Sequence, residues 1–165
     1  EAKKSFSKYL VWWSMSALWV FLTTANALTL IINNKKIEND FIFYLGVIVW
    51  VIGIVFEIVA DEQKRIFRLE KNNESKFISS GLWSISRHPN YFGEIVLWIG
   101  ISIISVSSLS GFQYVTLISP LFITLLLTKI SGVNLLEDHA DKKWGSLPEY
   151  IKYKKETSVL VPFIK

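Results

Sequence analysis

Between Trp83 and Glu94 the chain reads Trp-Ser-Ile-Ser-Arg-His-Pro-Asn-Tyr-Phe-Gly-Glu, and an apolar stretch follows directly. Arg87, His88, Asn90 and Glu94 therefore stand where a helix enters an apolar medium, a place where polar side chains are costly unless they pair or hold a ligand. Pro89 suits the first turn of that helix, because the N–H it lacks has no partner there. The helix start offers free backbone N–H groups and the positive end of a dipole, and Arg87 and His88 add donors beside it. Such a set suits a phosphate or a carboxylate. Asn90 and Glu94 lie four residues apart on one helix face and could read a sugar or an amide. The competing structural reading is an interfacial anchor, with Tyr91 and Trp98 in an aromatic belt and Arg87 snorkelling. That reading accounts for the aromatics and leaves Asn90 and Glu94 unexplained.

A second constellation lies upstream. Glu57, Asp61, Arg65 and Arg68 are spaced 4, 4 and 3. On a helix they fall within an arc of about 80°, so one face carries two acids and then two bases. They form either a ladder of i,i+4 ion pairs or one wall of a cofactor pocket, with acids for ribose hydroxyls and arginines for phosphate. Glu57 lies near the end of an apolar run, which favours the pocket. Farther on, Glu137, Asp138 and His139 follow the last apolar run, and Tyr150 and Tyr153 precede an apolar end; either tyrosine could hydrogen-bond a phosphate.

The elements that position these residues are legible from composition. The chain has 165 residues, 51% of them hydrophobic, with seven Trp. Tyr9–Ile32 carries no charge and Phe41–Ala60 only Glu57. The uncharged stretch Ile95–Thr128 would be about 51 Å long as one helix, against a hydrocarbon core of about 30 Å. Ser107-Ser108-Leu109-Ser110-Gly111 breaks it into two helices joined by a tight turn. The fold class expected is an all-α integral membrane protein in one domain, with four transmembrane helices at about 9–32, 41–60, 91–108 and 112–130 and a tail over 131–165. The second span continues as a polar helix to Leu69, since Gly and Pro are absent from Val55 to Lys71. A loop follows over Glu70–Ser80, then surface helices at Lys129–Lys143 and Glu149–Lys155 around a turn at Gly145–Pro148.

Of the 18 Lys and Arg residues, Lys35 and Lys36 alone fall between the first and second spans, and none falls between the third and fourth. Lys3, Lys4, Lys8, the 64–87 loop and the tail, Lys165 included, hold the rest, which places both ends and the juxtamembrane helices on the cytoplasmic side. For a bacterial protein that means the inner membrane. The +4 net charge is thus read as membrane orientation, and nucleic acid is not an expected partner. With no cysteine, two histidines and no His-Glu-x-x-His spacing, a zinc site is not expected. Glycine-rich dinucleotide fingerprints, a phosphate loop and a serine nucleophile elbow are also missing from the sequence.

Gly81-Leu-Trp-Ser-Ile-Ser-Arg-His-Pro-Asn-Tyr-Phe-Gly-Glu94, Phe56-Glu-Ile-Val-Ala-Asp-Glu-Gln63 and Tyr153-Lys-Lys-Glu-Thr-Ser-Val-Leu-Val-Pro-Phe-Ile164 together resemble the steroid 5-alpha-reductase-like membrane family, the branch called DUF1295 most closely. Sterol C14-reductases share the Arg-His-Pro-Asn-Tyr core, and isoprenylcysteine carboxyl methyltransferases share Arg-His-Pro-x-Tyr-x-Gly and a post-span acidic pair. The resemblance implies an NADPH-dependent reductase of a carbon–carbon double bond conjugated to a carbonyl in a lipid-like substrate. It implies cofactor contacts at Glu57, Asp61, Arg65, Arg68, Arg87, His88, Asn90, Tyr91, Glu94, Glu137 and Tyr153, the last on the phosphates. Glu57 departs from the Asn that the steroid reductases carry at that place. The alternative it implies is an S-adenosylmethionine-dependent methyltransferase, with Arg87 and Glu137 holding the amino acid portion; a non-catalytic bundle is the third reading. Such reductases have further N-terminal spans that supply the substrate-activating groups. The chain opens Glu-Ala-Lys-Lys and is therefore expected to be a C-terminal part, completed by a preceding segment or an oligomer partner.

Overall fold

The computed structural model describes residues 6–32, 41–130 and 132–164. Lys3, Lys4, Lys35, Lys36 and Lys165, used above to assign sidedness, lie outside the described residues, as does the side chain of Lys8. Among the described residues six α-helices carry the fold: α1 (Phe6–Ile32), α2 (Phe41–Leu69), α3 (Pro89–Ser105), α4 (Ser119–Leu125), α5 (Val133–Trp144) and α6 (Pro148–Glu156). No β-strand occurs among the described residues, only an isolated parallel bridge between Ser86 and Ser158. Among the described residues four helical segments are long and apolar enough to cross a membrane, and the chain is an all-α, multi-pass integral membrane protein.

The fourth crossing is not a uniform helix. Gly111–Ile118 is wound as a 3-10 helix, α4 follows, and Leu126–Ile130 widens into a π-helix. The chain turns between the third and fourth crossings at Ser110 and Gly111, where Gly111 has φ +53° and Gln113 accepts the Ser110 N–H at 3.0 Å. The surface helix expected over Lys129–Lys143 begins only at Val133, because the π-helical turns occupy 126–130.

The central pair is α2 against α3, antiparallel and in backbone contact. Gly46 and Gly53 on α2 are seven residues apart, as are Gly93 and Gly100 on α3, so each pair keeps to one face through about two turns. A Cβ at Gly53 would lie 2.8 Å from the Gly93 carbonyl oxygen, and one at Gly93 would lie 2.5 Å from Glu57 N. Small residues allow such close approach where no hydrophobic driving force separates helix from lipid. Phe56 and Phe92 close the flank edge-to-face at 5.4 Å.

Helix α1 docks by polar bonds. Asn26, fully buried, donates through Nδ2 to Ser102 Oγ at 2.7 Å and accepts from Ser105 Oγ through Oδ1. Ser119 Oγ lies 2.8 Å from the Leu22 carbonyl and 2.9 Å from that of Thr116, so its one hydrogen serves either. Toward the other end, Ile95, Ile123 and Leu127 form the apolar core, with Tyr91, Trp98, Leu126 and Leu160 packed on it.

Two outcomes test this packing. Gly93→Val forces α2 and α3 apart and is expected to cost about 3 kcal/mol, the upper end for overpacking, in denaturant unfolding of the detergent-solubilised protein, whereas lipid-facing Ile48→Ala stays within about 0.5 kcal/mol of the parent. Asn26→Ala is expected to cost about 1 kcal/mol, the range for interhelical polar bonds in membranes, by the same measurement.

Candidate functional site

At the polar end, α2 carries its helix beyond the apolar part to Leu69 and becomes a wall. The chain returns through a loop with a 3-10 turn at Lys71–Asn73 and a second at Gly81–Ser84. Trp83 pins this return by donating its indole N–H to the Ala60 carbonyl at 3.0 Å, and Gln63 Oε1 accepts the Leu82 N–H at 2.9 Å. Gly81 sits at φ +61°, a backbone conformation that side chains rarely adopt, and so the turn favours glycine there. Helices α5 and α6 complete the enclosure. Trp144 donates its indole N–H to Ser75 O at 2.6 Å, and Tyr153 donates its hydroxyl to Trp83 O at 2.6 Å. Phe77 packs among Trp144, Tyr150 and Tyr153, with ring centroids 6.0, 5.1 and 5.3 Å away.

These elements surround a cavity of about 250 Å³. Five basic side chains line it (Lys64, Arg68, Lys76, Arg87 and Lys143) against the acids Glu74 and Glu137, with His88, His139 and the aromatics Phe77, Trp83, Trp144, Tyr150 and Tyr153 between them. Lys64 Nζ lies 4.9 Å over the Trp83 ring and Lys143 Nζ 4.7 Å over the Trp144 ring, so two of the cations are held against aromatic faces. Burial, with the negative charges of Glu137 and Asp141 adding to it, pushes the Tyr150 phenol up to about 12. Burial raises Tyr153 also, and both remain hydrogen-bond donors at neutral pH.

The start of α3 is built as expected, with Pro89 in the first turn and His88 as the residue before it. Its flanking donors are turned to a protein partner. Glu137, from α5, takes His88 Nε2 at 2.9 Å and Arg87 Nη2 at 3.1 Å, with Lys154 Nζ at 3.5 Å. Arg87 also donates from Nη1 to the Lys154 carbonyl at 3.0 Å, while its Nε is buried with no hydrogen-bond partner among the described residues. His88 stacks on Tyr91 at 5.7 Å. Arg87, His88 and Glu137 therefore form one charged knot that also reaches the cavity wall.

The four-residue wall on α2 divides. Arg68 lines the cavity. Arg65 points outward and pairs with Glu62 through Nε and Nη2, both at 2.7 Å, so the i,i+4 ladder is replaced by an exposed i,i+3 pair. Asp61 accepts from Asn90 Nδ2 at 3.0 Å across the α2–α3 seam. Glu57 lies on the same seam, where its backbone meets Gly93, and Glu94 is the next residue of α3. The expected set is thus split among the cavity (Arg68, Arg87, His88, Glu137, Tyr153), the seam (Glu57, Asp61, Asn90, Glu94), the apolar core (Tyr91) and the outer surface (Arg65). Lys64, Lys76, Trp83, Lys143 and Trp144 were not anticipated. Lys64 was readable: at about 100° per residue it shares an arc of about 60° with Glu57, Asp61 and Arg68, and Arg65 lies beyond that arc.

Comparison with known proteins bears on this site. Over 66 residues, 40% of this chain and 23% of the relative, the chain is 30% identical to the "Probable O-methyltransferase ustE" of Ustilaginoidea virens. Over 62 residues, 38% of this chain and 21% of the relative, it is 39% identical to the very-long-chain enoyl-CoA reductase of Dictyostelium discoideum. Each match thus spans less than a quarter of the curated relative's length. No solved structure gives a significant match. The family described as "Protein of unknown function (DUF1295)" matches residues 1–157, nearly the whole of the described fold, and the chain belongs to that family.

Proposed function

We propose that the protein is an NADPH-dependent membrane reductase of an alkene conjugated to a carbonyl in a lipid-like substrate, with the phosphate-bearing part of the cofactor in the basic cavity. The observation that carries this reading is the lining of that cavity: five cations to two acids, among aromatic faces. A dinucleotide with several phosphates and flat rings matches such a lining, because guanidinium and ammonium groups bind phosphate and aromatic faces stack on rings. S-adenosylmethionine carries a sulfonium cation and no phosphate, so the basic excess opposes it. The enoyl-CoA reductase relative supports the reaction class, since an enoyl group is an alkene conjugated to a carbonyl.

When bound, the cofactor supplies a hydride. The chain's own residues would do the rest at the polar end. Arg68, Lys64 and Lys143 would hold phosphates, and Trp83 and Trp144 would flank a ring. Asp61 and Asn90, bonded to each other beside the cavity, would exchange that bond for ribose or amide contacts, with Glu57 and Glu94 next along the seam. The Arg87–His88–Glu137 knot would position the start of α3. Such an enzyme would take its cofactor from the cytoplasm, with the polar end on that side and a substrate site completed by spans outside this chain.

The second reading is an S-adenosylmethionine-dependent methyltransferase, favoured by the O-methyltransferase match. Thermal-shift titration of detergent-purified protein separates the two. NADPH at a hundredfold excess over its Kd is expected to stabilise by about 2.7 kcal/mol; stabilisation by S-adenosylmethionine alone would sink the reductase reading. Arg68→Ala and Lys143→Ala are each expected to weaken NADPH binding about tenfold, by the loss of a charge-assisted bond, with the melting temperature of the free protein unchanged for Arg68→Ala. Glu137→Ala is expected to destabilise the free protein by about 3–5 kcal/mol, because it strands buried Arg87 and His88.

A further inference from the structure

From the structure we infer that residues 157–164 form a strap seated in the lipid interface, a membrane-contact surface separate from the four spans. The strap begins where Thr157 N–H bonds to Tyr153 O, ending α6. Ser158 O then accepts the Arg87 N–H at 2.8 Å, and Leu160 O accepts Ser86 Oγ at 2.7 Å. These bonds fix its level: Ser86 and Arg87 come just before Pro89, the first residue of the third membrane-spanning helix. Leu160 goes further and packs on Ile95, Ile123 and Leu127, which belong to the third and fourth crossings.

The inner side of the strap is thus anchored, and its outer side is apolar. Val161 and Pro162 lead into a turn closed by Ile164 N–H to Val161 O at 3.2 Å. Pro at the second position and a positive φ at the third are the marks of a type II turn, and the third position normally takes glycine. Here it is Phe163, at φ +66° and 81% exposed, followed by Ile164 at 67%. An aromatic ring held outward on a turn that disfavours it, at the height where adjacent helices enter the bilayer, matches the interfacial position such rings prefer. Lys152 and Lys155 stand exposed on the preceding helix, with stems long enough to lie along the interface and heads left in water. What covers the apolar face is the lipid that already surrounds the spans, continuous with it through Leu160.

The chain has no cysteine, so single thiols can be placed without background. Phe163→Cys and Ile164→Cys, each carrying an environment-sensitive fluorophore, are compared with Ser146→Cys on the exposed turn between α5 and α6, all in phosphatidylcholine vesicles. Lipids bearing a nitroxide just beneath the headgroup are expected to quench positions 163 and 164 several-fold more than position 146, and iodide the reverse. Equal iodide quenching at all three positions would place the strap in water and overturn the inference. Self-quenching at 163 that rises with the protein-to-lipid ratio would mean a second copy covers the strap, and would overturn it equally. Both readouts are independent of which cofactor, if any, the cavity binds.

Discussion

The contact between α2 and α3 at Gly53 and Gly93 sets the geometry of the polar seam and of the wall beyond it. With no side chain on either residue the two backbones meet, and the register between the helices is fixed by what would collide on sliding. One turn beyond Gly53 comes Glu57, two turns beyond Asp61, and the same register brings Asn90 opposite Asp61. Trp83 reaches the Ala60 carbonyl for the same reason. A wider separation would break that seam and carry the return loop away from the wall that encloses the cavity. Packing deep in the spans therefore decides the shape of the site at their end.

Charge is divided by environment. Arg87 and His88 meet Glu137, and Lys154 lies between Glu137 at 3.5 Å and Asp141 at 2.6 Å, so the basic charges of Arg87 and Lys154 face two carboxylates. Such a cluster contributes position more surely than net stability, since desolvation consumes much of the attraction. Lys64 and Arg68 from α2 and Lys143 from α5 line the cavity without a carboxylate partner among the described residues and keep a positive potential there. A phosphate-bearing ligand would complete the balance there.

The number of crossings, the turn near Gly111 and the reach of α2 to Leu69 could all be read in the sequence, from the runs of apolar residues, the Ser-Gly cluster at 107–111 and the absence of Gly and Pro from Val55 to Lys71. The site was readable in composition more than in arrangement. Arg87, His88 and Glu137 were singled out, yet their mutual pairing depends on how α5 returns, which no local pattern encodes. A helical wheel of acids and arginines included Arg65 and passed over Lys64, a matter of some tens of degrees that the neighbouring loop resolves. Trp83 and Trp144 carry no site signal of their own in the sequence, and only the loop's path brings their indole N–H groups onto backbone carbonyls. The π-helical turns at Leu126–Ile130 left no mark of their own.

The knot around Glu137 also has a consequence in time. Glu137 follows His88 by 49 residues and the Lys154 carbonyl follows Arg87 by 67, so Arg87 and His88 leave the ribosome well before Glu137 and Lys154 exist. During that interval the Arg87 guanidinium must remain hydrated while α3 and then α4 are being inserted. The site is accordingly a product of late synthesis: the membrane bundle can be complete while its polar end is still open. A chain halted before α6 would lack Tyr150 and Tyr153 in the cavity wall and the Lys154 carbonyl that holds Arg87.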